Sequence, residues 1–426
     1  MKIQFLNPSI YWYSGFQYKM LPPLSLPILS SVFRQAGHEA EVADLEALGI
    51  RPEALTVAWR NQRDRWPDAV GITGLTITQR GMQATIKALR DAGYDRPIIA
   101  GGVQLSLNPQ DGLDWGADLV VTGECEGNVV ELVASGARGI HQGRPMPIED
   151  LPLPDWDHHN PRVTTYEANL EFLRPSPSIA MWTRGCPFSC IYCGNTIFGG
   201  QKTRYRPPAN IIAEMTDLAQ RGAKHCFVYD DEMVGTAVPD GWMGAIADGI
   251  EHLGIRWITQ GRCSRKHVTR QLLEDMKRAG CFYVLWGVES FSQKVLNHMR
   301  KGITPEDVDY VLRLSKEVGI KAGVFTMIGN YGETEEDIAI TADALQRLHR
   351  EGLYHYRQTT ICTAMPGTRL AEMAQAEGWY EVAPDEGTQM LQVKRGPLWV
   401  SGPRLTYWLH EIERRAPRGD YPGVAQ

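Results

Sequence analysis

Short apolar runs alternate with longer amphipathic stretches along most of the chain, and each change of period marks a candidate element. KIQFLN at the start is a strand-like run that stops at Asn7-Pro8, and LSLPILSSVFRQAG then carries helical spacing up to Gly37. HEAEVADLEAL supplies a second strand ending near Asp44. DAVGITGLT supplies a third, which opens at Gly74 into a threonine-rich loop before the helix MQATIKALRDAG. PIIAGGVQ repeats the pattern with a glycine pair at its end, and ADLVVTGECEGNVVELVAS adds a further strand and helix. This order predicts a doubly wound parallel sheet over residues 1–140, covered by helices on both faces. Ligands of such sheets sit beyond the carboxyl ends of the strands. The loops of interest are therefore Asn7–Ser14, Gly74–Gln79, Gly101–Gln104 and Gly123–Gly127.

Residues 141–178 break the rhythm. RPMPIEDLPLPDWDHHNPR and LRPSPS are rich in proline, which disfavours helix interiors and central strands, so this segment reads as an extended linker. The adjacent His158 and His159 read there as solvated rather than metal-bound. A second alternation runs over residues 179–375, with strand-like runs in SIAMWTRG, HCFVYDDE, IRWITQGRC, FYVLWGVES, KAGVFTMIG and YRQTTICTAMPGT. Six βα units are too few to close an eight-stranded barrel, so a partial (β/α)6 barrel is expected. Residues 376–426, with GWYEV and RLTYWLHEIERR, read as a small helical C-terminal cap with a frayed tail at RGDYPGVAQ.

Composition narrows the chemistry. The chain has 426 residues, 43% of them hydrophobic and 22% charged, as a globular protein of two or three domains would. A net charge of −6 disfavours a nucleic-acid footprint and favours a small-molecule or peptide substrate. No apolar run is long enough for a membrane span and the start has no signal-peptide order, so a cytoplasmic location is expected. Of eight cysteines, three crowd into eight consecutive residues, which points to metal chemistry in a reducing compartment rather than to disulfides.

Those three are Cys186, Cys190 and Cys193 of MWTRGCPFSCIYCGN, spaced C-x3-C-x2-C directly after the first strand of the second domain. Thiolates on a loop of this length can cap three irons of a [4Fe-4S] cubane and leave the fourth open for chemistry. Spacing alone leaves a zinc site completed by His225 or Cys226 open. Cys226, Cys263, Cys281 and Cys362 lie in apolar strand contexts and read as core.

At these residues the chain resembles the radical S-adenosylmethionine (SAM) superfamily, over about residues 175–375. The resemblance implies a [4Fe-4S] cluster whose open iron chelates SAM and whose electron releases a 5′-deoxyadenosyl radical, with flavodoxin or ferredoxin as electron donor. It also implies SAM-binding roles for Tyr192, for Asp230 and Asp231 of YDDE, for Arg262 of QGRC, for Glu289 and Ser290 of GVES, and for Gly329 of MIGNYGETEED. As simple strand-end residues these would instead be caps and packing groups, and Glu333-Thr334 before EEDI reads as a helix cap.

LNPS, GITGLT, IAGGVQ and GECEG in the first domain resemble the cobalamin-binding branch of that superfamily, which includes methyltransferases and the anaerobic magnesium-protoporphyrin ester cyclase. The resemblance implies a Rossmann-like cobalamin-binding domain, with Asn7, Gly74, Leu75, Thr76, Thr78, Gly101, Gly102, Val103, Thr122, Gly123, Glu124 and Glu126 about the cofactor. The D-x-H-x-x-G signature is absent, which argues for cobalt without a histidine axial ligand. A degenerate domain holding no cofactor, or another nucleotide, is the alternative. The function implied is radical C-methylation of an unactivated carbon; a cyclase-type oxidation without methyl transfer and a non-catalytic metal-binding protein are the rivals. No general base stands out. Trp182, Tyr229, Tyr283, Trp286, Tyr354 and Tyr356 are candidates for a substrate pocket, with core packing as the other role for strand aromatics.

Overall fold

The computed structural model describes residues 1–9, 21–162, 166, 177–195, 202–365, 367–377, 400 and 402–419. The chain forms two compact units, the first essentially residues 1–169 and the second mostly residues 180–426.

The first unit is a parallel sheet of β1 (Lys2–Asn7), β2 (Glu39–Asp44), β3 (Ala69–Thr73), β4 (Ile98–Gly101), β5 (Leu119–Thr122), β6 (Gly139–Gln142) and β7 (His159–Asn160), in the order β6-β5-β4-β3-β1-β2-β7. Among the described residues every strand pairing in it is parallel. The strands read as continuous apolar runs because both faces are covered. Ile98 and Ala100 of β4 join one cluster with Met82, Ile86 and Leu89. Ile99 between them joins the other, with Leu26, Phe33 and Val129. Winding reverses between β1 and β3, so the crevice for a ligand opens beyond the carboxyl ends of those two strands.

The expected linker is largely part of this unit. Ile148, Leu151 and Trp156, the apolar residues between its prolines, are buried. Ile148 and Leu151 pack with Ile28. Ser30 donates to Asp155 at 2.7 Å, and His159–Asn160 lie beside Val42–Ala43 as an edge strand. Proline is compatible with such an edge position, so its density masked a strand here. His159 is not solvated: it is buried, its ring packs on Trp156 and Tyr166, and burial lowers its pKa. Residues 163–165 and 167–176 lie outside the described residues.

The second unit holds a sheet ordered β15-β14-β13-β12-β11-β8. Its strands are β8 (Pro177–Ala180), β11 (His225–Val228), β12 (Arg256–Arg262), β13 (Cys281–Glu289), β14 (Lys321–Ile328) and β15 (Tyr356–Ile361). Sequential order with a helix between most neighbouring strands is the winding of a partial barrel, as expected from six repeats. The run SIAMWTRG is broken in two, because Trp182 turns its backbone N–H to Asp230 and a short β9 (Thr183–Arg184) pairs antiparallel with β10 (Arg204–Tyr205).

Among the described residues two helices follow β15, Arg369–Ala376 and Gly402–Arg415; GWYEV and residues 420–426 lie outside them. The Gly402–Arg415 helix is anchored on the sheet by side-chain contacts. Arg357 of β15 donates to Glu413 at 2.6 Å and to the Ala416 carbonyl at 2.8 Å, and Trp408 donates to Glu335 at 3.0 Å. Its Leu405 fills the space beside Gly329: a Cβ there would lie 3.0 Å from Leu405 Cδ1, and Gly329 has φ +76°. Glycine satisfies both demands. Among the described residues no helix is long and apolar enough to cross a membrane.

Candidate functional site

In the second unit the cysteine loop is clasped at both ends by one side chain. Asp231 accepts from the Gly185 N–H at 2.8 Å, just before Cys186, and from Asn195 Nδ2 at 3.0 Å, just after Cys193. Its neighbour Asp230 is fully buried and accepts from the Trp182 N–H at 2.8 Å and the Thr183 hydroxyl at 2.9 Å. Burial pushes the Asp230 carboxyl up to about 7 despite those donors. The YDDE segment thus serves the loop itself, and the two Asp230 oxygens are occupied by protein donors.

Cys190 is buried, and Arg262 Nη1 donates to its sulfur at 3.8 Å while the guanidinium lies over the Phe188 ring at 3.6 Å. Nε and Nη2 of Arg262 are buried without a partner. An uncompensated guanidinium is costly inside a protein, and these two donors could serve an anionic ligand. Burial pushes the Cys186 thiol up to about 11 and raises Cys193 as well. Bound iron would compensate by holding the thiolates. Among the described residues no three His, Cys, Asp or Glu side chains converge to hold a single metal ion. A cubane does not ask for that, since each thiolate caps a different iron.

Glu289, at the end of β13, has φ +67°, rare for a residue with a side chain, and β13 slips register against β14 between Gly287 and Glu289. Its Oε1 accepts from Lys301 at 2.8 Å and from the Tyr192 hydroxyl at 3.3 Å. The sequence reading missed Lys301, because MRKG before a helix cap reads as an ordinary basic helix end. Glu232, also missed, is buried and accepts from the Gly235 N–H at 2.7 Å. Ser290 faces away from this group: its hydroxyl contacts Thr341 at 3.2 Å and accepts from the Ser292 N–H. Glu333 accepts from the Asn330 N–H at 3.0 Å and bridges the turn at Gly329; the helix cap is Thr334 with Asp337. Of the six candidate aromatics, Trp182, Tyr283, Trp286, Tyr354 and Tyr356 are core, whereas Tyr229 is 53% exposed at the end of β11. Cys226, Cys263 and Cys281 are buried, whereas Cys362 is partly exposed.

The first unit gathers its candidates at the ends of β1, β3, β4 and β5. Asn7 donates to Asp44 at 2.9 Å, and Thr78 closes the Leu75–Thr78 turn by accepting from the Leu75 N–H at 2.8 Å. Leu75 itself is 45% exposed. Gly102 has φ +89°, and a Cβ there would lie 2.8 Å from the Gly74 carbonyl, so the loops after β3 and β4 press on each other. These glycines therefore serve loop packing. Ser106 accepts from the Gly123 N–H at 2.8 Å, tying in the loop after β5, and Thr122 meets Gln142 at 3.0 Å. Glu126 is buried and Gly101, Val103 and Glu124 are partly exposed. Gln104 Oε1 and Gln79 Oε1 are buried acceptors without a donor. The carboxamides around a corrin could supply such donors, and Leu75 offers apolar surface, so this end of the sheet fits a cobalamin.

Residues 181–345 match the family model of the Radical SAM superfamily, and residues 18–133 match that of the B12 binding domain. The chain is a radical SAM enzyme with a B12-binding domain. Its cofactors are accordingly a [4Fe-4S] cluster, SAM and cobalamin. The enzyme is 27% identical to an uncharacterized methyltransferase of Pyrococcus horikoshii over 83% of this chain and 78% of that one. It is 24% identical to the anaerobic magnesium-protoporphyrin IX monomethyl ester cyclase of Rubrivivax gelatinosus, over 80% and 65%. Its fold is that of the radical SAM methyltransferase TsrM from Kitasatospora setae, with a TM-score of 0.71 at 18% identity, covering 97% of this chain and 88% of that one.

Proposed function

We propose that the enzyme is a cobalamin-dependent C-methyltransferase acting on an unactivated carbon of a small molecule or peptide. The observation that carries this reading is the pairing of two strand-end sites of different chemistry in one chain, a cysteine loop beside a buried guanidinium with two unpartnered donors and a corrin-compatible end beyond β1 and β3. The methyltransferase relatives support it. Bound there, the cluster and SAM would supply a 5′-deoxyadenosyl radical and cobalamin would carry the methyl group.

The chain's own work is to bind and orient. Cys186, Cys190 and Cys193 hold the cluster, and Asp231 fixes the span of the loop that presents them. Arg262 takes the SAM carboxylate on Nε and Nη2. Glu289, whose second carboxylate oxygen makes no hydrogen bond among the described residues, is the acceptor for a SAM hydroxyl or ammonium. Tyr229 is the exposed aromatic available to a substrate. Burial of Cys190, Arg262 and Glu289 excludes water from a radical and strengthens each polar contact. A flavodoxin or ferredoxin would deliver the electron.

Anaerobic reconstitution with iron, sulfide and cobalamin, followed by turnover with SAM and candidate substrates, tests this. We expect 5′-deoxyadenosine together with a methylated product. The cyclase relative makes the informative alternative: 5′-deoxyadenosine with an oxidised, unmethylated product would replace methyl transfer by radical oxidation.

A further inference from the structure

Lys301 has no role in the reading above, yet the surrounding backbone is shaped to keep it. It sits between Arg300 at φ +54° and Gly302 at φ +66°, and its partner Glu289 is left-handed too. Arg300 is the left-handed residue that closes the Gln293–His298 helix, with the Lys301 N–H on the Leu296 carbonyl at 3.0 Å, whereas Glu289, at the end of a strand, holds a strained backbone that persists only where surrounding structure demands it. The Lys301 side chain is 9% exposed, and its ammonium donates to Glu289 Oε1 at 2.8 Å and to the Tyr192 hydroxyl at 3.3 Å. A Cβ on Gly287 would lie 2.9 Å from Oε1 and 3.0 Å from Nζ, so the glycine leaves the room the pair occupies. A buried ion pair is weak as a source of stability, since apolar replacements often do as well. Strain, register slip and glycine therefore serve something other than the pair's own energy.

The turn that carries Lys301 also docks on the cysteine loop. The Ile191 N–H donates to the Met299 carbonyl at 3.1 Å, and the Cys190 thiol lies 3.7 Å from the Arg300 carbonyl. Arg262 and Lys301 are buried cations beside this loop, and Lys301 stands directly against the buried carboxylate of Glu289.

We propose that Lys301 is a positioning residue for the cluster: it pins Tyr192, and with it the Cys190–Cys193 turn, against β13, and it supplies the cation that offsets Glu289 beside the bound iron. This rests on the reading that the three cysteines hold a [4Fe-4S] cluster. Without Lys301 a carboxylate remains buried and unpaired there, and adding an electron to a cluster beside it becomes harder. Removing both charges together takes that unpaired carboxylate away.

The test uses the full-length protein as wild type, Lys301→Arg, Lys301→Met and Lys301→Met/Glu289→Gln. After anaerobic reconstitution, the reduction potential is titrated with EPR detection. In the apo-proteins, Cys190 alkylation by iodoacetamide is followed by peptide mass analysis. We expect Lys301→Met to shift the potential negative, the double variant to return towards wild type and Lys301→Arg to stay near it. Apo Lys301→Met should alkylate at Cys190 about 10-fold faster, as loss of a charged anchor eases local opening. A Lys301→Met protein that takes up no cluster shows the loss of positioning directly, and its apo rate must then be raised. An unchanged potential in loaded Lys301→Met overturns the charge role, and an unchanged alkylation rate overturns the positioning role. A wild-type protein that forms no [4Fe-4S] signal overturns the cluster reading instead.

Discussion

The two units end their strands in opposite chemical styles. Beyond β1, β3, β4 and β5 of the first unit, the loops at 7–9, 74–79, 101–104 and 122–127 contain no lysine or arginine. They present glycines, threonines, two glutamines with unpartnered oxygens and the exposed Leu75, with Glu124 and the buried Glu126 as their charged groups. Beyond β11, β12 and β13 of the second unit lie Asp230, Glu232, Arg262 and Glu289, all buried, with Lys301 brought in from a neighbouring turn. The first style suits a broad, amide-rimmed ligand held by shape and backbone. The second suits a compact charged assembly, because fields act strongly only where water is excluded. Each sheet thus prepares its carboxyl end for one kind of guest.

The largest expected effect separates the two. Cys190→Ser should abolish [4Fe-4S] assembly and 5′-deoxyadenosine formation, read by iron content and product analysis, while the cobalamin absorbance of the reconstituted protein stays at the wild-type level. Loss of both cofactors together would mean that the sites are not separately built.

Next in size is the pH response. Burial raises Asp230 to about 7 from an ordinary value near 3.8, so the folded state holds this proton where the unfolded chain has released it. The stability this contributes is full below the unfolded pKa and is lost as pH rises through the folded one, by up to about 4 kcal/mol between pH 4 and 7. Asn at this position imitates the protonated carboxyl. Denaturant melts of Asp230→Asn should therefore show a flatter stability profile over that window, and a slope equal to wild type would place the pH response elsewhere.

A smaller effect probes the first unit. Gly102→Ala must fit a methyl group 2.8 and 2.9 Å from Gly74 backbone atoms at φ +89°. The cost should be about 2–3 kcal/mol, with weakened cobalamin retention and normal cluster content. Equal loss of cluster and cobalamin would break the contrast between a backbone-built site and a charge-built one.

Much of this was legible in the sequence, because period changes and strand-end glycines are local signals. Cysteine spacing located the loop, and six apolar runs gave the partial barrel. Side-chain partners are not local. Asp230 and Asp231 read as SAM ligands by resemblance, and spacing could not show that Trp182, Thr183, Gly185 and Asn195 donate to them. Ser290 lies next to Glu289 in sequence yet points to Thr341. Lys301 was hidden because a basic residue after a helix is common, and only the folded chain brings its ammonium to Glu289 and Tyr192. The proline-rich stretch misled in the other direction: β7 needs only two residues, fewer than any periodicity can reveal.

The fit of Leu405 beside Gly329 has a practical consequence for recombining such enzymes. A small residue at the rim of β14 and a large one on the final helix form a complementary pair, reinforced by Arg357 gripping Glu413 and the chain beyond it. A graft that moves the barrel without its last helix would leave a vacancy at the rim, and one that pairs that helix with a foreign rim residue larger than glycine would jam it. Exchange boundaries belong after that helix, so that lock and key are inherited together.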